Sequence, residues 1–183
     1  MRLEETPLKG LFVIQADLYK DNRGHFFECY KESFFKKHNL CTTWMQDNIS
    51  SSQKGVIRGL HFQKAPHSQA KIVRVLRGLA LDVAVDLRPD SKTFGKHLAL
   101  ELSEENNKAL YIPEGFAHGF SVLSDHAVFY YKCSAPYAPD AESGIIWNDP
   151  DIGIDWKIEA TDISRKDKLY PRFSEYKLAD LKR

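Results

Sequence analysis

Two histidine-containing segments are the first candidates for chemistry in this 183-residue chain. One runs from Arg58 to Gln63 around His61, and the other runs from Ile112 to Phe120 and contains His118. An imidazole has an unperturbed pKa of about 6.5, so at working pH it serves as a general base or as a metal ligand. The two segments therefore predict either proton transfer or a metal site.

The spacing of these segments resembles the two motifs of the cupin superfamily, whose histidines lie on facing strands of a small β-barrel and often bind a metal. A metal-binding cupin has a second histidine two residues after the first, and a carboxylate soon afterwards. Here Gln63 replaces that histidine, residues 64–70 contain no carboxylate, and His67 lies in a proline-flanked turn that we expect to face solvent. His61 and His118 alone fall short of the three protein ligands typical of a catalytic zinc. We therefore expect neither a metal nor another cofactor.

The elements that would position these residues are short β-strands. Residues 79–87 alternate between large apolar side chains and the smaller Ala80, Asp82, Ala84 and Asp86, a period of two that predicts a strand. A solvated face usually carries Lys, Thr or Glu, whereas this second face is small and acidic. Two interpretations stay open: the small face lines a cavity inside a barrel, or it is an ordinary solvent face.

Further strands are predicted at residues 98–102, and at 72–76 and 128–131, the last two more fully buried. Only Lys31–His38 has a helical pattern, and a second short helix is expected after Asp162 or Ser164. Many short strands with few helices favour an antiparallel sandwich or barrel. A chain of this length without a linker predicts a single domain over residues 1–183.

Composition excludes several classes of partner. The chain has 26 basic and 25 acidic side chains, so we expect no general attraction to nucleic acid or to membranes. No apolar run approaches the roughly 20 residues of a transmembrane helix, and the N-terminus is acidic where a secretory signal is cationic. The odd number of widely spaced cysteines (Cys29, Cys41 and Cys133) predicts reduced thiols in a cytoplasmic protein.

No single polar residue decides the function. A histidine beside a glycine in a strand is usually structural, Arg58 and Lys71 fit sheet-edge charges, and Tyr131 and Tyr137 fit core and rim aromatics. The order of the motifs is more informative, because it closely resembles the dTDP-4-dehydrorhamnose 3,5-epimerase family of cupin-type nucleotide-sugar epimerases. The motifs that carry the resemblance lie between residues 21 and 167: Asp21–Glu28, Arg58–His61 with Gln63, Gln69–Lys71, Asp82–Asp86, Ser91–Gly95, Pro113–Phe120, Tyr131–Lys132, Trp147–Asp149 and Ser164–Asp167.

The resemblance implies a mainly β, cupin-like jelly-roll barrel or sandwich and a cofactor-free epimerisation of dTDP-4-dehydro-6-deoxy-D-glucose at C3 and C5. Both carbons flank the C4 ketone, so their protons leave to give an enolate. By resemblance, His61 is the base and Asp167 pairs with it. Lys71 stabilises the enolate oxygen, and Tyr131 returns a proton from the opposite face.

The resemblance also implies the residues that hold the nucleotide sugar. Arg23 and Arg58 suit the diphosphate, because a guanidinium forks onto phosphate oxygens, and Tyr137 matches a residue that stacks on the thymine ring. The family is homodimeric, with the site completed by the second subunit. The full set of implied binding residues is Arg23, Phe26, Glu28, Gln46, Asn48, Arg58, His118, Tyr137, Glu142 and Lys166.

Two other functions stay open at this point. A relative that inverts only C3 or only C5 would use the same His61, Lys71 and Tyr131, so only the stereochemistry of the product separates it. A non-catalytic sugar-binding cupin would not need His61, Asp167 and Tyr131 together. We therefore expect an enzyme.

Overall fold

Two β-sheets form the framework of the protein, and the computed structural model describes them within residues 1–176. Periodicity-two segments bounded by turns account for most of the strands. The strands are β1 (Arg2–Glu5), β2 (Phe12–Gln15), β3 (Tyr19–Asp21), β4 (Gly24–Phe26), β5 (Gln46–Gln53), β6 (Val56–Gln63), β7 (Lys71–Arg77), β8 (Leu79–Asp86), β9 (His97–Ser103), β10 (Lys108–Ile112), β11 (Phe116–Val122), β12 (His126–Cys133), β13 (Glu142–Gly144) and β14 (Asp162–Ile163).

The first sheet has the strand order β1-β2-β10-β7-β12-β5, and the second has the order β13-β6-β11-β8-β9, with β14 also pairing with β6. All of these pairs are antiparallel except β14 with β6. Strands β3 and β4 pair with each other in a separate hairpin. The mainly β, cupin-like fold implied by the sequence is confirmed.

Strand β8 of the second sheet is buried on both of its faces. Its large residues pack in one apolar cluster with Ile57 and Leu60, while Ala80 and Ala84 pack in another that includes Val73 of the first sheet. Ala80, Asp82, Ala84 and Asp86 are all 0% exposed, so the solvent-face interpretation is wrong. The small side chains let the two sheets approach each other, as close packing of the interior requires.

Two stacked phenylalanines join the sheets. Phe120 of β11 and Phe129 of β12 have ring centroids 3.9 Å apart, and both are buried. Burying a phenylalanine contributes about 1.5–3 kcal/mol to the free energy of folding. This contact therefore helps to set the spacing between the sheets.

Helical structure is limited, as expected. The predicted helix at residues 31–38 is confirmed as α1 (Glu32–Lys37), which buries Phe35 against Tyr111 of β10. The second helix, expected after Asp162 or Ser164, is wrong. Asp162–Ile163 instead forms β14, because Ile163 is buried beside Ile57 of β6. Short 3-10 turns lie at Pro139–Ala141 and Phe173–Glu175.

Burial of the predicted strands differs in one place. Residues 72–75 of β7 are buried as predicted, but Leu76 is exposed, and in β12 Tyr130 and Tyr131 are only partly buried. In β12 the reason is that Tyr131 borders a cavity between the sheets, and Tyr130 lies on the opposite face, where its hydroxyl donates to the exposed Asp47. No helix within residues 1–176 has the length and apolar character needed to cross a bilayer.

Candidate active site

His61 near the end of β6 is paired with Asp167 from the far end of the chain. Its Nε2 lies 2.8 Å from Oδ1 of Asp167, and the backbone N–H of Gly59 donates to Oδ2 at 3.1 Å. Because the buried carboxylate accepts from Nε2, the other ring nitrogen, Nδ1, keeps its lone pair, and it has no hydrogen-bond partner in the described part of the chain. The pair therefore presents a free basic nitrogen.

The Asp167 carboxylate is held in its ionised form. Burial raises the pKa of Asp167, but the hydrogen bond and charge of His61 and the N–H of Gly59 outweigh it, so the pKa lies below its usual value. Ser164 fixes the turn by accepting a hydrogen bond from the Asp167 N–H at 3.1 Å. This anchored carboxylate fixes the orientation of the imidazole.

Local backbone geometry allows the Gly59 contact. Gly59 has φ = 130°, and a Cβ at this position would lie 2.5 Å from the Cα of Gly119 on β11. The register of β11 shifts between His118 and Phe120, which marks a bulge at this point. Only glycine fits here, and its N–H is turned toward Asp167.

Lys71 and Tyr131 lie on the first sheet, opposite the sheet that carries His61. In the register of β7, β12 and β5, Lys71 pairs with Cys133 and Cys133 with Gln46. Tyr131, two residues before Cys133 and on the same face of β12, pairs with Asn48 in the next row. The period of two therefore places these side chains on one wall.

A cavity of about 140 Å³ separates the two walls and has His61 on one side and Lys71 and Tyr131 on the other. Its remaining lining residues include the predicted Gln46, Asn48, Tyr137 and Glu142, together with Phe62, Gln63, Gln69 and Cys133. Seven of the predicted site residues thus meet in one cavity.

The environment of the cavity shifts two further pKa values. Burial lowers the pKa of Lys71, an effect opposed by the nearby Cys133, Asp82 and Glu142. Its Nζ has no hydrogen-bond or ion-pair partner in residues 1–176. Burial raises the pKa of Tyr131, so the phenol keeps its proton. The first sheet therefore offers an unpartnered cation and a protonated phenol.

A larger groove of about 650 Å³ continues from His61 and contains Arg58, Lys166 and Asp167. The Arg58 side chain is exposed, and its Nε donates to Ser52 at 3.1 Å. Lys166 is half-exposed and forms an ion pair with Glu142. Burial raises the pKa of Glu142, but the hydrogen bonds from Lys166 and Tyr137 outweigh it and leave the pKa below its usual value. The groove thus offers two cations for an anionic ligand.

His118 is placed differently from the prediction that it contacts the substrate. Its Nε2 lies 2.8 Å from Oδ2 of Asp82, both side chains are buried, and neither lines the cavity or the groove. The other carboxylate oxygen of Asp82 is buried without a hydrogen-bond partner in the described residues. His118 lies beside His61 on the adjacent strand β11, and its contact with the substrate stays a prediction.

Three other predicted binding residues lie in neither the cavity nor the groove. Arg23 and Phe26 lie on the exposed β3–β4 hairpin, where Arg23 forms an ion pair with Asp21 and Phe26 is 65% exposed. Glu28 is exposed and forms an ion pair with Lys31. These three side chains do not line the cavity or the groove with the other predicted site residues.

The structure also identifies site residues that the sequence prediction did not include. Gln63, Gln69 and Cys133 each lie two residues from a predicted site residue, and the strand period could have found them. Tyr170 is a different case, because its ring packs edge-on to His61, with centroids 5.7 Å apart. No sequence pattern indicated this contact.

Two sheets that close over an inner cavity, with paired histidines on the adjacent strands β6 and β11, define a cupin-like β-protein. A family model described as dTDP-4-dehydrorhamnose 3,5-epimerase matches residues 5–175. The chain therefore belongs to the dTDP-4-dehydrorhamnose 3,5-epimerase family and is a carbohydrate epimerase.

Individual relatives agree with this assignment. A dTDP-4-dehydrorhamnose 3,5-epimerase of Methanothermobacter thermautotrophicus is 49% identical over 177 residues, which cover 95% of each chain. The crystal structure of a dTDP-6-deoxy-D-glucose-3,5-epimerase of Legionella pneumophila in complex with dTDP-4-keto-L-rhamnose is 40% identical, with a TM-score of 0.95 and coverage of 100% and 97%. A 3'-monoepimerase of Streptomyces bikiniensis, in complex with dTDP-quinovose, is 32% identical, with a TM-score of 0.87 and coverage of 97% and 88%.

Proposed function

We propose that the protein converts dTDP-4-dehydro-6-deoxy-D-glucose to dTDP-4-dehydro-L-rhamnose by inverting C3 and C5. One observation carries the proposal: a histidine and a protonated tyrosine lie on opposite walls of one cavity, on different sheets, and a lysine lines the cavity on the same wall as the tyrosine. Inversion requires a proton to leave one face of a carbon and another to arrive at the opposite face. The two walls supply those two faces.

Proton abstraction is assigned to His61. Its Nδ1 takes the proton next to the C4 ketone, and the buried Asp167 stabilises the imidazolium that forms. Negative charge then develops on the ketone oxygen. The unpartnered ammonium of Lys71 stabilises that charge, and it is worth more in a partly buried site than in water.

Reprotonation is assigned to Tyr131. Its raised pKa keeps the phenol protonated at neutral pH, and the enolate carbon is basic enough to take that proton. The tyrosinate that forms faces Lys71 on the same wall, and solvent restores its proton. Each carbon therefore has the opposite configuration in the product.

The nucleotide is assigned to the groove beside His61. Arg58 and Lys166 would hold the diphosphate, since both cations line the groove. Tyr137 stands half-exposed at the cavity mouth and offers a flat face for the thymine ring, while Gln46, Asn48 and Glu142 complete the polar lining.

The test uses dTDP-4-dehydro-6-deoxy-D-glucose in deuterated water, followed by proton NMR. We expect deuterium at both C3 and C5 and the L-rhamno product. Exchange at neither carbon contradicts the proposal. Exchange and inversion at one carbon only would instead identify a single-site epimerase, a function that the 3'-monoepimerase relative shows to be compatible with this fold.

We propose further that the active form is a homodimer in which the β3–β4 hairpin and Glu28 enter the partner's groove. The exposed aromatic side chains of Tyr19 and Phe26 support this assembly, since exposed apolar patches mark interaction sites. Arg23 on the same hairpin supports it as well, because it does not line the cavity or the groove of its own chain. Mixing inactive His61→Asn and Arg23→Ala subunits should restore activity, because one intact composite site forms per hybrid dimer. Mixtures that stay inactive, despite subunit exchange seen by mass spectrometry, contradict a shared site.

The reaction as assigned needs no metal or other cofactor. Within residues 1–176, no group of three or more His, Cys, Asp or Glu side chains is placed to hold a metal ion. Prolonged treatment with EDTA should therefore leave turnover unchanged.

We also assign residues 1–183 to one domain, supported by the core that both sheets share, and the protein to the cytoplasm, supported by its three unpaired cysteines.

A further inference from the structure

Gln63 is the residue that stands where a metal-binding cupin has its second histidine, and its side chain is 7% exposed. Its amide makes three hydrogen bonds to backbone groups. Nε2 donates to the carbonyl of His67 at 2.7 Å and to that of Pro136 at 3.2 Å, and Oε1 accepts from the N–H of Ala138 at 2.8 Å. A primary amide has two donors and an acceptor, whereas a neutral imidazole has only one donor, so histidine could not make this set.

The same loop, residues 134–138, is held by two more glutamines. Gln46 accepts from the N–H of Tyr137 at 2.7 Å, and Gln69 donates to the carbonyl of Ala135 at 2.8 Å. The loop thus has its backbone fixed at four consecutive residues by side chains from β5, from β6 and from the segment before β7. Breaking one of these bonds inside the protein leaves an unpaired polar group, which destabilises this conformation of the loop.

The residue that this loop presents is Tyr137. Its side chain is 52% exposed, so packing alone does not hold it, and its hydroxyl donates to Glu142 at 2.6 Å. Ordering a free loop on binding costs conformational entropy. A loop that is already fixed avoids that cost, and its ligand binds more tightly.

We propose that Gln63 is a positioning residue for the nucleotide: it fixes residues 136–138 and so sets Tyr137 in place to stack on the base. The inference rests on the proposed function, which assigns Tyr137 to the thymine ring. Gln63 borders the cavity, but its amide is engaged by these three backbone groups. It acts on binding through the loop and leaves the proton transfers at His61 and Tyr131 unaltered.

The test measures the Kd of dTDP by calorimetry in a double-mutant cycle of Gln63→Glu and Tyr137→Ala. Glutamate has the same shape but no donors, so it faces two carbonyl oxygens without a hydrogen bond. We expect Gln63→Glu to raise the Kd about tenfold in the parent and less than about twofold in Tyr137→Ala, with KM raised more than kcat is lowered. The control is Gln15→Glu, because Gln15 also donates to two carbonyls, those of Ala16 and Asn106, but lies away from the cavity.

Equal weakening in both backgrounds, or none in either, would overturn the inference while the proposed function stood. Failure of the parent to bind dTDP would overturn both. Gln63→Met serves if the glutamate variant does not fold, since it removes the polar atoms without adding a charge. The same non-additive pattern is expected of it, and melting curves of all variants identify any effect of stability.

Discussion

His61 and His118 are Cα partners on the adjacent strands β6 and β11, and each has its Nε2 2.8 Å from a different buried carboxylate. The two pairs differ in access. The His61 side chain is 31% exposed and opens on the cavity, whereas that of His118 is 10% exposed and faces the interior. This difference in access favours His61 over His118 as the base of the proposed mechanism.

The His61→Asn variant should lose both exchange and inversion of the substrate protons. Removing a general base lowers kcat by about 10²–10⁴-fold, and no second imidazole lines the cavity among the described residues. Asp167→Asn should lower kcat less, because it only orients and charges the imidazole. Deuterium incorporation followed by NMR measures both effects. The matched control is His97→Asn on β9, three strands away from β6 in the same sheet; near-normal exchange in His61→Asn would exclude this role.

Replacing Tyr131 with phenylalanine should separate exchange from inversion. His61 and Lys71 still form the enolate, and His61 returns a deuteron to the face from which the proton left. The ratio of inverted to exchanged product should therefore fall strongly. The control is Tyr130→Phe. The hydroxyl of Tyr130 donates to Asp47 at 3.0 Å and does not line the cavity. An unchanged ratio in Tyr131→Phe would mean that another group donates the proton.

The alkaline limit of activity should report on Lys71. Burial holds the pKa of its ammonium below 10.5, so the cation is lost as pH rises through that lowered value, and kcat/KM falls with it. Lys71→Arg should move the alkaline limb to higher pH, because a guanidinium stays charged. Lys71→Met should lower kcat by about 10²–10³-fold at all pH values.

The comparison for Lys71 is Lys92→Arg, an exposed position that should leave the profile unchanged. The raised pKa of Tyr131 places its own ionisation on the far alkaline side. If Lys71→Arg keeps measurable activity and an unshifted alkaline limb, the ammonium does not set that limit.

Much of this site could be predicted because β-structure repeats every two residues. The alternation of β8 predicted its strand, and the cupin-like spacing of the histidine motifs placed His61 and His118 on facing strands. The contact of Asp167 with Gly59 could not be derived in this way, because it depends on a bulge and a chain reversal more than a hundred residues apart. Resemblance alone suggested Asp167, and nothing suggested Tyr170.

The wrong prediction of a helix after Asp162 or Ser164 has a physical cause. Residues 162–168 carry polar side chains that suit a helix start, and local pattern favoured one there. Ile163 instead buries beside Ile57, and this tertiary contact outweighs a short local preference. The role of His118 as a substrate-binding residue stays a prediction, and its burial beside Asp82 does not follow from its sequence.

Stability toward acid should depend on Asp86. Burial raises its pKa, but hydrogen bonds from Arg88, Ser91 and Thr93 outweigh it and lower the pKa from 3.8 to about 2. A lowered carboxyl pKa stabilises the folded state above pH 4, and the effect disappears as pH falls toward 2. This shift in the pKa of Asp86 corresponds to about 2 kcal/mol of the free energy of unfolding.

Urea unfolding of the parent and of Asp86→Asn checks this directly. The difference in their free energies of unfolding should shrink by about 2 kcal/mol as pH falls from 5.5 toward 2. Asp90→Asn, on the same loop but exposed, should show a small and constant difference. A pH-independent gap for Asp86→Asn would contradict the pKa assignment.

The stacked pair of Phe120 and Phe129 gives the core a direct influence on stereochemistry. The base and the acid belong to different sheets, so the gap that a sugar ring must fit is an inter-sheet distance, and these rings help to set it. A change of volume there widens or narrows the gap without touching any polar residue. Selection for inversion at one carbon or at two can therefore act on buried hydrophobic positions. A library built to alter product outcome is best directed at the core as well as at the residues that line the cavity.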